Sequence, residues 1–398
     1  MRRLRKTVLW VLAGLVVVAA AAGMWIYAAV FLPTDIALRH AEAFLFRRMA
    51  IAELAEEATY RFFFATNRRQ TAGAGPIERR FGAERQETLT FGSFDTKIEP
   101  SLGIGMLINP TEWFQNEEIS LERIGALQQQ GFVETLSRLV AASPRRSLMV
   151  VVHGFREAFP SALRKTAFVG HVLDINTPVL VFDWPGDQGS SLQGYRRARE
   201  VAKASSADFA EFLALLLRQV RPERLWVIAN SMGAQVVADA LPDLYADGAV
   251  AETETLIEDI ILTAPDIDHD AFDPDFKAQI AAMVRNLTVY VSSNDRALIM
   301  SRLVNRTARR GESTLTPDQI EEAVLITEMI DPDDELIALV DVTPVNRTRN
   351  FHNFSLETPE FFDDLFLRLT NRVTPHTRRL YKVQAPNGAR YWVLTRGR

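Results

Sequence analysis

Short runs of apolar, mostly β-branched residues punctuate the chain at Leu148–Val152, Val179–Phe182, Leu225–Ala229, Ile260–Thr263, Thr288–Val291 and Leu336–Val340. Apolar at nearly every position, they read as strands buried on both faces of a parallel sheet. Between them, Phe159–Leu173, Gly194–Val220, Gly233–Ala246, Asp275–Val284, Ala297–Arg306 and Pro359–Leu369 carry helical spacing or helix-forming composition. In the second of these, Phe209, Phe212, Leu213, Leu216 and Leu217 fall on one helix face. Strand–helix alternation at this frequency predicts an α/β fold with a mostly parallel, doubly wound sheet. Two earlier strands, Tyr60–Ala65 and Thr88–Lys97, flank a stretch without periodicity and would open the sheet at an antiparallel edge.

A different pattern stands at the amino terminus. Val8 to Leu32 has no charged or strongly polar side chain over 25 residues, longer than the roughly 20 that cross a bilayer core. Arg2, Arg3, Arg5 and Lys6 precede it, so the positive-inside bias predicts a single-pass helix with a cytoplasmic amino terminus. The rest of the chain then lies on the outer side of the membrane. The small residues Ala19–Gly23 also suit a signal peptidase, and cleavage there would give a secreted protein instead. The organisation that follows is a tip and anchor at 1–33, an amphipathic stalk helix at 34–58, a catalytic domain at 59–371 and a basic hairpin at 372–398. Within the catalytic domain, 311–334 reads as an insertion that could cap the site. The hairpin strands LYKVQ and RYWVLT flank Asn387-Gly388, a turn signal.

Composition narrows the chemistry. No cysteine is present, which excludes thiol nucleophiles, disulfides and Cys-ligated metals. A net charge of −5 gives no overall handle for nucleic acid, and Asp266, Asp268, Asp270, Asp273 and Asp275 lack calcium-loop spacing and its glycine. No metal and no organic cofactor is expected. No feature sets an oligomeric state.

The strongest chemical signal is Arg224–Val237, RLWVIANSMGAQVV. A buried strand runs into Ala229-Asn230-Ser231-Met232-Gly233 and then a helix, with small residues two before and two after the serine. A sharp strand-to-helix turn needs that pattern if it is to expose a nucleophilic hydroxyl. Two strands earlier, Ser147–Phe155, SLMVVVHGF, is a buried run that ends in His153-Gly154. Turns of this kind supply an oxyanion amide, so Phe155 and Met232 are the candidate donors and Gly154 allows close approach. A serine hydroxyl needs a base and the base an orienting acid, in chain order serine, acid, histidine. His352, in a loop after the last apolar strand, is the candidate base, ahead of His269 and His376. Asp295, following Thr288–Val291, is the candidate acid. Asp266, after Ile260–Thr263, is the alternative acid or a loop-holding residue. Phe155, Phe159, Trp184, Phe351 and Phe354 stand near the site loops and favour an acyl or aromatic group.

Together HGF, FDWPG, ANSMGAQVV, TAPDID, VYVSSNDRAL and FHNFS resemble the bacterial, esterase/lipase-like branch of the α/β-hydrolase superfamily, over about Tyr60 to Leu369. The resemblance implies an α/β-hydrolase fold, a nucleophile at Ser231, an acid at Asp295, a base at His352, and hydrolysis without a cofactor. It also implies that Trp184, in VFDWPG, lines or buttresses the pocket. Asn230 departs from the pattern, standing where histidine is common. The resulting expectation is a membrane-anchored serine hydrolase that cleaves a small-molecule or lipid acyl ester, thioester or amide. The alternatives are an inactive scaffold of the same fold, or an acyltransferase using the same triad.

Overall fold

The computed structural model describes residues 14, 17–21, 51–54, 59–71, 76–98, 119–173, 175–251, 257–267, 280–292, 337–347, 354–371, 378–384 and 390–396. Asp295, His352 and the 311–334 insertion lie outside them. The described strands form one eleven-stranded sheet ordered β10-β11-β9-β8-β7-β6-β4-β5-β1-β2-β3. They are β1 (Thr59–Gln70), β2 (Phe81–Ile98), β3 (Ile119–Leu127), β4 (Ser147–Val152), β5 (Val179–Asp183), β6 (Arg224–Asn230), β7 (Ile257–Thr263), β8 (Val284–Val291), β9 (Ile337–Asp341), β10 (Leu380–Gln384) and β11 (Arg390–Leu394). Every pairing from β1 through β5, β4, β6, β7, β8 and β9 to β11 is parallel, while β1/β2, β2/β3 and β10/β11 are antiparallel.

Helices cover both faces, as a parallel sheet requires. On one side α1 (Gln129–Ala142), α3 (Leu192–Leu215) and α4 (Gly233–Ala246) bury Val150, Val152, Val227 and Ala229. On the other, α2 (Phe159–Leu173) and α6 (Pro359–Asn371) bury Met149, Val151, Trp226 and Ile228. A four-residue helix, α5 (Phe354–Glu357), precedes α6. Alternate residues of β4 and β6 thus serve opposite cores, which explains why these runs are apolar throughout.

Several sequence expectations need correction. The stretch between the first two strands is mostly strand: β1 runs on to Gln70 and β2 starts at Phe81, pairing Arg68 with Arg85 and Gln70 with Phe81. Its polar residues hid it because this part of β2 is largely exposed or half-buried. β3 and α1 were not expected, although Phe132, Leu136 and Val140 of α1 recur at helical spacing and form its buried face. Residues 51–54, assigned to the stalk helix, form a turn and a bridge, with Arg61 N donating to Ala52 O at 2.7 Å and Leu54 N to Thr59 O at 2.8 Å. The helix expected over Asp275–Val284 is present at 280–283 and gives way to β8 at Val284. Of the long apolar run only residues 14 and 17–21 are described; they are helical and exposed. Among the described residues no helix is long and apolar enough to cross a membrane.

The carboxy-terminal hairpin is part of the sheet, not an appendage, because β11 pairs with β9. Three of the basic residues in this segment pair with acids of α6. Arg378 is buried against Asp364 of α6, donating from Nε to Oδ1 at 2.8 Å and from Nη2 to Oδ2 at 2.9 Å, and Tyr290 donates to the same carboxylate at 2.6 Å. Arg396 meets Glu360 at 3.5 Å and Arg379 meets Asp363 at 3.8 Å. The acidic side of α6 therefore seats the basic hairpin.

Two buried groups titrate in opposite senses. Burial pushes His171 of α2 down to about 4, so folding favours its neutral form, and acidification from about pH 6.5 to about pH 4 removes stability. Burial pushes Asp259 of β7 up to about 6 in spite of Arg368, so folding favours its protonated form, and the same acidification adds stability. Relative to the unsubstituted chain, His171→Gln should gain about 2–3 kcal/mol as the pH falls from about 6.5 to about 4, whereas Asp259→Asn should lose about as much. Urea unfolding at stepped pH tests both, and parallel curves for all three proteins would contradict the assignment.

Candidate active site

Ser231 follows β6 directly and opens α4. Its φ is +52°, the left-handed region, which costs a non-glycine residue roughly 1–2 kcal/mol. Three backbone hydrogen bonds hold it there. Ser231 N donates to Thr263 O at 2.9 Å, and Ser231 O accepts from Ala234 N at 3.0 Å and Asp266 N at 3.2 Å. The small residues around it have steric reasons. A Cβ on Gly233 would stand 2.4 Å from His153 O and 2.8 Å from Val152 O, so α4 can start against the end of β4 only with glycine. Ala229 is fully buried, in register with Val152 and Leu262.

The turn after β4 lies on Ser231. A Cβ on Gly154 would come within 3.0 Å of Ser231 Cβ and 3.1 Å of Asn230 O. Among the described residues the amides of Phe155 and Met232 donate to nothing, while the next amide, Arg156 N, is committed to Gly186 O at 2.9 Å. Two unspent donors therefore flank the serine, as an oxyanion site requires. Phe155 is half-buried and meets Tyr195 of α3 edge-on, with ring centroids 5.6 Å apart.

Behind that turn is a buried ionic cluster. Asp183, at the end of β5, is fully buried and accepts from Thr66 Oγ1 at 2.7 Å, Arg68 Nε at 2.7 Å and His153 Nε2 at 3.0 Å. Burial alone would raise its carboxyl, but the Arg68 charge and the His153 contact outweigh this and hold it below the ordinary range. The rest of the Arg68 guanidinium donates to the carbonyls of Gly82 at 3.1 Å, Glu157 at 2.6 Å and Trp184 at 2.8 Å. Trp184 donates from Nε1 to His153 O at 2.8 Å and stacks within 6° of the His153 ring plane. It is fully buried and buttresses the site. Phe159 and Phe354 are likewise fully buried in the core, which corrects their reading as acyl contacts. Phe351 lies outside the described residues.

Asp266 has both oxygens engaged, Oδ2 by Tyr195 Oη at 2.7 Å and Oδ1 by Arg199 Nη1 at 3.4 Å, and its amide holds Ser231 O. It braces the elbow. Asn230 Nδ2 donates to Thr263 Oγ1 at 3.0 Å and to Ser355 Oγ at 3.1 Å, tying the residue before Ser231 to β7 and α5. The structure thus gathers Ser231, Met232, His153, Gly154, Phe155, Asn230, Trp184 and Asp266 at one edge of the sheet.

Sequence reasoning missed Arg68, Tyr195 and Arg199. Asp183 carried a usable signal, a lone charge ending an all-apolar run, whereas Arg68 in TNRRQ resembled the polar end of an edge strand. Among the described residues no group of three or more acidic or histidine side chains could hold a metal ion. The packing of Gly233 sets a test. Gly233→Ala should cost about 1–3 kcal/mol and move the turn off Ser231. Gly248→Ala, with no atom within 4 Å of an added Cβ, should not. Urea midpoints compare the two, and equal stabilities would refute the steric account.

Residues 128–365, more than half of the chain, match the family described as an alpha/beta hydrolase of unknown function (DUF900). No curated protein matches the chain. Among solved structures, the ydeN gene product from B. subtilis aligns at 13% identity and a TM-score of 0.30, over 56% of this chain and all of that one. A protein from Agrobacterium vitis S4 aligns at 12% identity and a TM-score of 0.34, over 73% and 96% of the two chains. By its family match, and in keeping with its elbow and sheet, the chain belongs to this α/β-hydrolase family.

Proposed function

We propose that the chain is a membrane-anchored serine hydrolase that opens a carboxylic ester, thioester or amide of a small-molecule or lipid acyl group through an acyl-enzyme. One observation carries this reading: Ser231 is held at positive φ with the Gly154 backbone against its Cβ, and the amides of Phe155 and Met232 beside it have no acceptor among the described residues. A merely structural serine needs neither the strain nor the two unspent donors.

In the proposed reaction Ser231 Oγ attacks the acyl carbonyl while His352 takes its proton. The negative charge on the tetrahedral oxygen falls to the amides of Phe155 and Met232. The carbonyl re-forms as the leaving group departs with the proton from His352. Water, deprotonated by His352, then repeats the attack and releases the acid and free Ser231. Asp295 orients the imidazole. Since both oxygens of Asp266 are occupied by Tyr195 and Arg199, Asp295 is the better assignment for that role.

The anchor rests on the apolar run Val8–Leu32 and the basic residues before it. Orientation follows from those cations, with the hydrolase on the outer side of the membrane. Full-length protein should sediment with membranes, resist carbonate extraction and keep its amino-terminal residues. A soluble, shortened chain would replace the anchor with signal cleavage and secretion.

The chemistry is tested by labelling the full-length protein in detergent with a fluorophosphonate. Labelling should vanish in Ser231→Ala and slow on the order of a thousandfold in His352→Ala and Asp295→Asn. Undiminished labelling of Ser231→Ala, or none in the folded unsubstituted protein, would sink the acyl-enzyme reading.

A further inference from the structure

His153 is buried with both ring nitrogens facing acceptors. Nε2 lies 3.0 Å from Asp183 Oδ1, and Nδ1 lies 2.9 Å from Gly154 O. A backbone carbonyl cannot donate, so Nδ1 must carry a proton. Asp183 already accepts from Thr66 and Arg68, which favours its ionised form, so Nε2 carries one as well. Placing the second proton on Asp183 Oδ1 instead would leave the proton count of the pair unchanged. Either way the pair holds one proton more than a carboxylate beside a neutral imidazole.

The Gly154 carbonyl and the Phe155 N–H are two ends of one planar, conjugated peptide group. A donor on the oxygen fixes the plane of that group and draws electron density from the nitrogen, which makes its N–H a better donor; hydrogen bonds polarise one another in this way along a chain. We propose that His153 is a positioning residue of the oxyanion site. Held as an imidazolium by Asp183, it aims and polarises the Gly154–Phe155 peptide whose N–H receives the developing charge. This rests on the serine-hydrolase reading for its catalytic consequence, while the protonation itself does not.

The charges around the ring fit that role. Asp183 of β5 is matched by Arg68 of β1 at 2.7 Å, and Glu157, in the turn before α2, is matched by Lys165 of α2. With those two pairs neutralised, the imidazolium is a net positive charge, buried one residue before the oxyanion turn. Trp184 stacks on its face, leaving the two edge hydrogen bonds to fix the ring.

The test has two arms. The chain has six histidines, so full-length protein labelled with nitrogen-15 histidine gives few side-chain signals, and the His153 pair is assigned by its loss in His153→Gln. At neutral pH both nitrogens should show directly bonded protons, and a bare ring nitrogen would overturn the assignment whatever the activity. In the second arm, the Asn amide reaches about where Nδ1 sits and the Gln amide about where Nε2 sits. His153→Asn therefore keeps the donor to Gly154 O, and His153→Gln keeps only the contact with Asp183. With p-nitrophenyl butyrate, His153→Gln should lower kcat on the order of tenfold with little change in KM, a fraction of the loss expected for removing an oxyanion donor outright. His153→Asn should recover most of it, and fluorophosphonate labelling rates should follow the same order. Equal rates for the two variants would overturn the positioning role. A doubly protonated His153 in a protein that neither labels nor hydrolyses would overturn the hydrolase reading alone.

Discussion

A carboxylate taken out of water with no exposed edge is the constraint on which the site depends. Removing an ion from solvent costs several kcal/mol even after relaxation, so Asp183 is tolerable only with a full set of donors. Those donors come from β1, through Thr66 and Arg68, and from the end of β4, through His153. Three strand ends are thereby fixed to one another at the edge where β6 delivers Ser231. Arg68, itself 1% exposed, must then satisfy its remaining donors, and it does so on the carbonyls of Gly82, Glu157 and Trp184. Of the three, Glu157 lies just beyond the turn that rests on Ser231, and Trp184 holds that turn through His153 O, while Gly82 brings in β2.

The strain at Ser231 is carried by this frame. A left-handed serine would relax if β6 and α4 could separate, but Gly233 packs α4 against the backbone of β4 and the Thr263 carbonyl takes the serine amide. Asp266 closes the arrangement from β7, its amide on Ser231 O and its carboxylate on α3 through Tyr195 and Arg199. Backbone strain at one residue thus persists because four elements over-determine it.

What the sequence made legible follows from the same physics. The strands buried on both faces announced themselves as apolar runs, and the elbow as small residues around a serine between a strand and a helix. Arg68 was illegible because an arginine in a polar strand end has the same local pattern whether its guanidinium meets water or a buried carboxylate. The extension of β1 and β2 was hidden for a related reason: an edge hairpin is held by its backbone ladder, and its half-exposed side chains need no alternation. Phe159 and Phe354 misled because nearness in sequence to a loop says nothing of which way a ring turns, and both are buried in the core. The departure at Asn230 was visible, but its role was not, since Ser355 lies 125 residues away.

The fold holds a second buried ionic cluster, and the contrast with the first separates two uses of the same interaction. Tyr290 and Arg378 converge on Asp364 where α6 and the hairpin meet the sheet. Well-packed apolar side chains would hold such a junction at least as strongly, because the desolvation of each ion offsets much of the attraction. What the ions add is selectivity of arrangement: a displaced hairpin would strand Asp364 without its cation, at a cost no displaced leucine incurs. At Asp183 the same selectivity fixes the His153 ring and, through it, a peptide group, because apolar packing could not supply the hydrogen bond to Gly154 O. One cluster uses buried charge to specify the fold. The other uses it to fix the plane of the Gly154–Phe155 peptide, and in the hydrolase proposed above that plane sets the direction of an oxyanion donor.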